Sequence, residues 1–187
     1  AVDLAESIGF PVVLKVISPE ALHKTDAGGV ITDITTKEGV TRAFNVIKKN
    51  LLNYNSNATF LGVRVMKMAK SGYDMYIGGS RDISFGPIVY FGLGGTYIEL
   101  FKDVATLQCP SYKEEIIKKL KKLQSYTILS GYRGNTSGNI DQYVAMIERV
   151  SYLMSEFPEI SELDINPIRI LDDGSGAIAL DARIKID

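Results

Sequence analysis

The sequence predicts an α/β fold, and three features carry that expectation. Two short β-branched apolar runs, residues 10–17 and 30–34, are followed by an amphipathic helical pattern that begins near Thr35. The middle of the chain, residues 60–95, is strand-rich and punctuated by glycine. Two helical stripes then lead into a strand that alternates charged and apolar residues, 161–166. With 187 residues, 45% of them hydrophobic and 23% charged, the chain can bury a sizeable core as one large or two small domains.

Taken in order, residues 1–8 read as the end of a helix closed by Gly9. Residues 10–17, Phe-Pro-Val-Val-Leu-Lys-Val-Ile, read as a strand with Lys15 at its centre. A lysine there is costly unless it meets an anion, although one that snorkels from a strand edge is an ordinary alternative. Residues 18–29 fit neither period and hold the only histidine, His23, flanked by Lys24 and Asp26. Pro19 stiffens one approach to this loop, and Gly28-Gly29 allow a hinge at the other. A neutral imidazole on such a loop can act as nucleophile, proton carrier or metal ligand. Most polar loop residues are simply solvated, so the histidine alone leaves both readings open.

After the second strand, Thr35-x-x-Glu38 reads as a capping box for a helix with the apolar face Val40, Ala43, Phe44, Ile47 and Leu51. Residues 60–68 and 73–78 read as an antiparallel hairpin that turns at Lys70-Ser71-Gly72. The strand at 87–91 ends in Gly92-Leu93-Gly94-Gly95, a cluster where backbone can approach a phosphate or merely turn. Residues 103–108 add a strand. Ser111-x-x-Glu114 reads as the cap of a helix carrying Ile116, Ile117, Leu120 and Leu123 on one face. Asn139 opens a longer helix striped by Ile140, Tyr143, Val144, Ile147, Val150 and Met154.

Strand alternation then places Glu162, Asp164 and Asn166 on one face, opposite Leu163 and Ile165. If the strand after the turn at Asp172-Asp173-Gly174 pairs back, Asp181 lies beside Asn166. Oxygen ligands converging in this way suit a hard cation such as Mg²⁺. A hairpin whose polar residues face water fits the same spacing.

Composition excludes other classes of function. The net charge of −1, from 21 basic and 22 acidic residues, carries no signature of a nucleic-acid or membrane-surface partner. A single cysteine, Cys109, precludes an internal disulfide and a multi-cysteine metal site and fits a reducing cytoplasm. Beside Pro110 and after an apolar lead-in, it reads as a buried thiol. No apolar run reaches the ~18 residues of a membrane span, and the opening residues lack the basic start of a secretory leader. A start without methionine is what is expected where something upstream is removed or not shown.

Seven stretches together are recognisable: Phe-Pro-Val-Val-Leu-Lys (10–15), Ser-Pro-Glu-Ala-Leu-His-Lys-Thr-Asp-Ala-Gly-Gly-Val (18–30), Ser-Arg-Asp-x-x-Phe-Gly-Pro (80–87), Phe-Gly-Leu-Gly-Gly-x-x-Ile-Glu (91–99), Gly-Tyr-Arg-Gly (131–134), Glu-Leu-Asp-Ile-Asn-Pro (162–167) and Leu-Asp-Ala-Arg (180–183). In this order, and over nearly the whole chain, they resemble the ATP-grasp β subunit or β-like domain of ADP-forming acyl-CoA synthetases. These form the acetyl-CoA synthetase (ADP-forming) branch of the succinyl-CoA synthetase superfamily. The resemblance implies an ATP-grasp fold of α+β type, with nucleotide held between two mixed or antiparallel sheets and flanking helices. Residues 1–70 would form part of the small subdomain, with a mobile histidine loop at 18–29, and residues 71–187 the large subdomain with the Mg²⁺ and phosphate site. The first few tens of residues of such a domain would precede Ala1.

The implied reaction converts acyl-CoA, ADP and phosphate into acid, ATP and CoA through an acyl phosphate and phosphohistidine. Its cofactors are ATP or ADP and Mg²⁺. By the resemblance His23 carries the phosphoryl group, Asp164 orients it, Lys15 contacts nucleotide phosphates, and Asn166 and Asp181 hold Mg²⁺. Val65, Met66, Lys67 and Met68 form the hinge that faces adenine, and Asp74, Arg81, Gly94, Gly95 and Glu99 complete the nucleotide site. Met66-Lys67 stand where Gln-Glu is common in the family, and Asp74 where a longer Glu is usual. A CoA-binding α subunit, or fused CoA-binding and ligase domains, would complete a cytoplasmic hetero-oligomer without nucleic acid or membrane. Two other readings remain: a degenerate ATP-grasp module within an acyl-CoA-dependent protein acetyltransferase, and a nucleotide-sensing domain without catalysis.

Overall fold

In the computed structural model the described residues are 1–21 and 23–187, apart from the side chains of Tyr97 and Glu99. The chain divides into two compact units, Ala1–Met68 and Ala69–Asp187.

The first unit runs α1 (Val2–Ile8), β1 (Val12–Ile17), β2 (Val30–Ile34), α2 (Lys37–Tyr54) and β3 (Gly62–Lys67). Its three strands form an antiparallel sheet in the order β2-β1-β3. The apolar stripe of α2 buries Val40, Ala43, Ile47 and Leu51 against Val12, Leu14 and Val16 of β1. Phe44 joins the edge of this core, packed edge-to-face on Phe60 with ring centroids 5.4 Å apart. The helix starts one residue later than the capping box predicts. Thr36 is extended, and its hydroxyl accepts the Gly39 N–H at 3.0 Å, so Thr35 and Glu38 do not form the cap. Two adjacent threonines offer the same chemistry, and backbone geometry chooses between them.

The second unit contains β4 (Gly72–Asp82), β5 (Gly86–Leu93), α3 (Ile98–Phe101), β6 (Val104–Gln108), α4 (Lys113–Leu120), α5 (Gln124–Leu129), α6 (Ile140–Glu156), β7 (Ile160–Leu171), β8 (Ala177–Ala179) and β9 (Ala182–Ile186). The strands form one sheet in the order β6-β5-β4-β7-β8, and β9 also pairs with β7. Every ladder is antiparallel, so the α/β pattern takes its α+β form.

The expected hairpin between 60–68 and 73–78 does not form. β3 pairs with β1, from Val12↔Lys67 to Ile17↔Gly62, while β4 pairs with β5 and β7 in the other sheet. Alternation identifies a strand and its two faces but not its partner.

Helix α6 covers one face of the larger sheet and buries Tyr143, Val144, Ile147, Val150 and Met154 with Met75, Ile77, Val89, Phe91 and Leu163. Gly79 permits this approach, because a Cβ there would lie 2.7 Å from Met154 Cγ. Asn139 caps α6 as predicted, accepting the Gln142 N–H at 3.0 Å. Ser111 does not cap α4. Its hydroxyl donates to Gln108 O at 2.6 Å, and Tyr112 is the N-cap without a side-chain bond. The short helix α5 has no counterpart in the sequence reading, since six residues hold too few turns to show a period. Cys109 is buried, as its surroundings predict.

Candidate active site

The row of polar residues on β7 is in place. Leu163 is buried in the α6 core and Ile165 packs at its edge, so Glu162, Asp164 and Asn166 lie on the other side of the strand. The antiparallel register of β9, Ile165↔Ala182 and Asp164↔Arg183, brings Asp181 next to Asn166. The Asn166 N–H donates to the Asp181 carbonyl at 3.2 Å. The Asn166 side chain also ties the glycine cluster, its Oδ1 accepting the Gly95 N–H at 2.8 Å.

That bond bears on whether these residues fit a cation. Among the described residues no three carboxylate, histidine or thiol groups converge as a metal cluster. Mg²⁺ at a nucleotide site needs only one or two protein oxygens, because phosphates and water supply the rest. An amide oxygen has two lone pairs, so the Gly95 bond leaves Asn166 Oδ1 able to serve as such a ligand. The donor set of one amide and one carboxylate oxygen on adjacent segments therefore fits Mg²⁺ held together with a nucleotide.

Asp164 lies directly across from Gly78 on β4, and Tyr90 of β5 flanks Gly78 on the other side. The Tyr76 phenol oxygen lies over Gly78, the residue that pairs across the ladder with Asp164. Burial holds the Asp164 carboxyl above its usual range. The Tyr76 phenol and the charge of Arg183 pull against that shift, whereas Glu162 and Asp181 add to it. Burial, and after it the Asp164 charge, raises the Tyr76 phenol well above its ordinary value, so it remains a donor. Residue 76 was absent from the sequence reading. The signal available was its place on one strand face with Gly78 and Ser80, where a glycine leaves room for a neighbouring ring.

Several expected nucleotide contacts are engaged with the protein itself. The Arg81 guanidinium donates through Nε to Ile160 O at 2.8 Å and through one terminal nitrogen to Met154 O and Phe157 O at 2.8 and 2.6 Å. This satisfies the open carbonyls at the end of α6 and makes Arg81 a strut between that helix and β7. Asp74 forms a two-pronged ion pair with Arg169, Nε–Oδ1 2.8 Å and N–Oδ2 2.9 Å.

The glycine cluster has its amides bonded internally. Gly92 N–H donates to the Tyr143 hydroxyl at 3.1 Å, Leu93 to Asp103 O at 3.0 Å, and Gly94 to Asp74 O at 3.0 Å. The glycines are needed for close backbone approach, since a Cβ on Gly92 would sit 2.0 Å from Asp103 O and one on Gly94 2.3 Å from Met75 O. The sequence leaves a phosphate approach and a plain turn both open here, and the amides of residues 92–95 donate to acceptors within the protein. The side chain of Glu99 lies outside the described residues.

In the first unit, Lys15 is half-buried at the centre of β1, opposite Arg64 of β3 and Val30 of β2. Its neighbours Leu14 and Val16 face the α2 core, so Lys15 occupies the opposite face of the small sheet. Among the described residues β3 is an edge strand, paired with β1 on one side only. Val65 packs on the core and Met66 is half-buried, while the Lys67 ammonium donates to Gly9 O and Phe10 O at 2.8 and 2.9 Å. Met68 continues the tie with its N–H to Pro11 O at 3.0 Å.

His23 is exposed on its loop, between the buried anchors Ala21 and Ala27. Both ends of the loop are fastened. The Glu20 carboxylate accepts from Ser18 Oγ at 2.8 Å and from the Thr59 N–H at 3.0 Å, and these bonds hold it below its usual range. At the other end Asn50 donates to Gly28 O at 2.9 Å, and the Gly29 carbonyl accepts the Val16 N–H at 2.7 Å. Gly28 has φ +58°, the left-handed region that glycine enters freely.

One antiparallel sheet thus carries a central lysine, and the other, in the second unit, carries a row of carboxylate and amide side chains. A family described as an ATP-grasp domain matches residues 1–186, and the chain belongs to it. The β subunit of acetate–CoA ligase [ADP-forming] I from Pyrococcus furiosus is 42% identical over 184 residues, covering 98% of this chain and 78% of that protein. The 4-hydroxybutyrate–CoA ligase [ADP-forming] of Nitrosopumilus maritimus is 39% identical over 186 residues, and this chain spans 27% of its length. Among solved structures, the dinucleotide-forming acetyl-coenzyme A synthetase 1 of Ca. Korarchaeum cryptofilum, in complex with coenzyme A, Ca-AMPCP and HgCl⁺, is 36% identical with a TM-score of 0.91, covering 100% of this chain and 81% of that one. The same enzyme with Mg-AMPPCP, its phosphohistidine segment pointing towards the nucleotide binding site, is 35% identical with a TM-score of 0.83, again covering 100% of this chain and 81% of that one.

Proposed function

We propose that this chain is the nucleotide-binding, phosphoryl-transferring subunit or domain of an ADP-forming acyl-CoA synthetase. The observation that carries the reading is the placement of Asp181, just before β9, beside Asn166 in the β7 row that also holds Asp164, in a chain whose only histidine lies on a glycine-hinged loop. Residues 1–70 serve as part of the small ATP-grasp subdomain and 71–187 as the large one.

Lys15 binds nucleotide phosphates from the face of β1 opposite the core. Backbone groups along the β3 edge read the adenine, so Met66 and Lys67 need supply no carboxylate of their own. Asn166 and Asp181 hold Mg²⁺, which when bound neutralises charge on the phosphates. In the direction of ATP synthesis the acyl phosphate gives its phosphoryl group to a histidine of the CoA-binding partner and leaves as the free acid. A ring nitrogen of His23, the second histidine of the relay, takes the group from there. It then passes that group to the terminal oxygen of ADP, and the imidazole is restored. Asp164 accepts the other ring N–H and so fixes which nitrogen carries phosphate. A CoA-binding partner subunit or fused domain supplies acyl transfer, in keeping with relatives of both lengths. The reading places the protein in the cytoplasm; among the described residues no helix is long and apolar enough to cross a membrane.

The test is ATP formation from acetyl-CoA, ADP and phosphate by the full-length protein with its CoA-binding partner. Turnover that needs acyl-CoA and Mg²⁺ is expected. Nucleotide binding without turnover would favour a sensing domain, and acyl transfer to protein lysines without ATP formation would favour the acetyltransferase reading.

A further inference from the structure

The Tyr76 hydroxyl is held in place by features that serve no evident need of the core. Tyr76, Gly78 and Ser80 share one face of β4, opposite the face that Met75, Ile77 and Gly79 turn to α6. The Tyr76 ring lies across Gly78: a Cβ built on Gly78 would be 2.1 Å from the phenol oxygen and 2.7 Å from Cζ. Any side chain at residue 78 would displace the phenol. The residue directly across the ladder from Gly78 is Asp164 on β7, so the phenol lies over the glycine beside the position of that carboxylate. The backbone of Tyr76 is fastened as well, because the buried Tyr143 hydroxyl donates to its carbonyl at 2.7 Å. On the other flank of Gly78 the Tyr90 hydroxyl is paired with Ser80 Oγ at 2.8 Å, so the second phenol has its own partner.

We propose that Tyr76 is a positioning residue for phosphoryl transfer, its hydroxyl fixing one oxygen of Asp164 so that the other is presented to the imidazole of the phosphoryl carrier. The inference rests on the reading of Asp164 as the acceptor of that imidazole N–H. A carboxylate has two oxygens with about four acceptor positions between them. One bond to a rigid phenol stops the group from rotating and leaves the second oxygen in a defined direction, which is how a supporting residue preorganises a reacting one. The gain appears in the rate of transfer and not in nucleotide affinity, since Tyr76 acts through Asp164.

The experiment follows acid-labile, alkali-stable label on His23 by rapid quench after the full-length protein meets γ-labelled ATP and Mg²⁺. Tyr76→Phe is expected to slow labelling by about tenfold or more, with nucleotide affinity and melting temperature near wild type. Gly78→Ala, which pushes the phenol aside but keeps its hydroxyl, should show the same split. Tyr90→Phe removes a like hydroxyl from the same face and should label at the wild-type rate. Wild-type labelling by Tyr76→Phe while Asp164→Asn is blocked overturns the role of Tyr76 and leaves that of Asp164 intact. Wild-type labelling by Asp164→Asn removes both. Equal slowing in the two phenylalanine variants also overturns the inference, because it marks a general loss of polarity on the face.

Discussion

The Gly95 N–H donates to Asn166 Oδ1 at 2.8 Å, so the side chain proposed to hold Mg²⁺ also anchors the glycine cluster to β7. Truncation there should have two effects. Asn166→Ala is expected to weaken MgADP by about tenfold or more and to lower unfolding stability by about 1 kcal/mol, the net worth of one hydrogen bond. Asn166→Asp, which keeps an acceptor oxygen, should retain most of the stability. Calorimetric titration with MgADP and urea unfolding measure the two effects separately. Lost stability with unchanged MgADP affinity would leave Asn166 as a tether alone.

Arg81 should behave as part of the scaffold. Its removal takes the guanidinium donor from the carbonyls of Met154, Phe157 and Ile160, of which Phe157 O keeps the Ile160 N–H at 3.0 Å. Hydrogen bonds to charged groups contribute about 1.5–3 kcal/mol each, and water recovers part of that loss at the helix end. Arg81→Met is therefore expected to destabilise the protein by about 3 kcal/mol with nucleotide affinity unchanged. Denaturant unfolding and calorimetry on the same variant check this, and weaker nucleotide binding at full stability would restore the contact that the sequence alone implies.

Cys109 provides a pH test. Burial pushes its thiol up to about 11, against an ordinary value of 9.0, with the Ser151 bond and the Arg81 charge pulling weakly the other way. Between those two values the folded protein keeps a proton that the unfolded chain has lost. The thiol's contribution to stability is therefore full below about pH 9 and is lost as pH rises through about 11. Alkylation of the native protein should be negligible at pH 8 and rapid once urea unfolds it. Rapid modification of the folded protein at pH 8 would show a reachable, ionised thiol.

The legible parts of this fold are those encoded by local repetition. Val40, Ala43, Ile47 and Leu51 on α2, and Tyr143 through Met154 on α6, lie buried where their spacing puts them. The row Glu162, Asp164 and Asn166, with Asp181 beside it, was legible because strand alternation and one turn determine it. Partner choice was not. Nothing in the alternation of 60–68 says that β3 joins β1 rather than β4. The partners of Arg81 and the glycine cluster were not legible for a related reason: an arginine or an N–H is marked as a donor by its chemistry, but the acceptor it meets lies far along the chain. Arg81 meets α6 and β7, Gly92 meets Tyr143, and Asp74 meets Arg169. Tyr76 was missed because its role depends on what Gly78 leaves empty.

The central claim is that His23 carries the phosphoryl group, and mapping the label tests it most directly. The full-length protein, with its CoA-binding partner, is incubated with γ-labelled ATP and Mg²⁺, and the labelled residue is identified after digestion under alkaline conditions. Label on His23 is predicted, stable to alkali and lost in acid as a phosphoramidate is. His23→Ala is predicted to abolish ATP synthesis from acyl-CoA while MgADP still binds, since the chain holds no second histidine. Label confined to the partner, or an alanine variant that makes ATP at the wild-type rate, would contradict the relay.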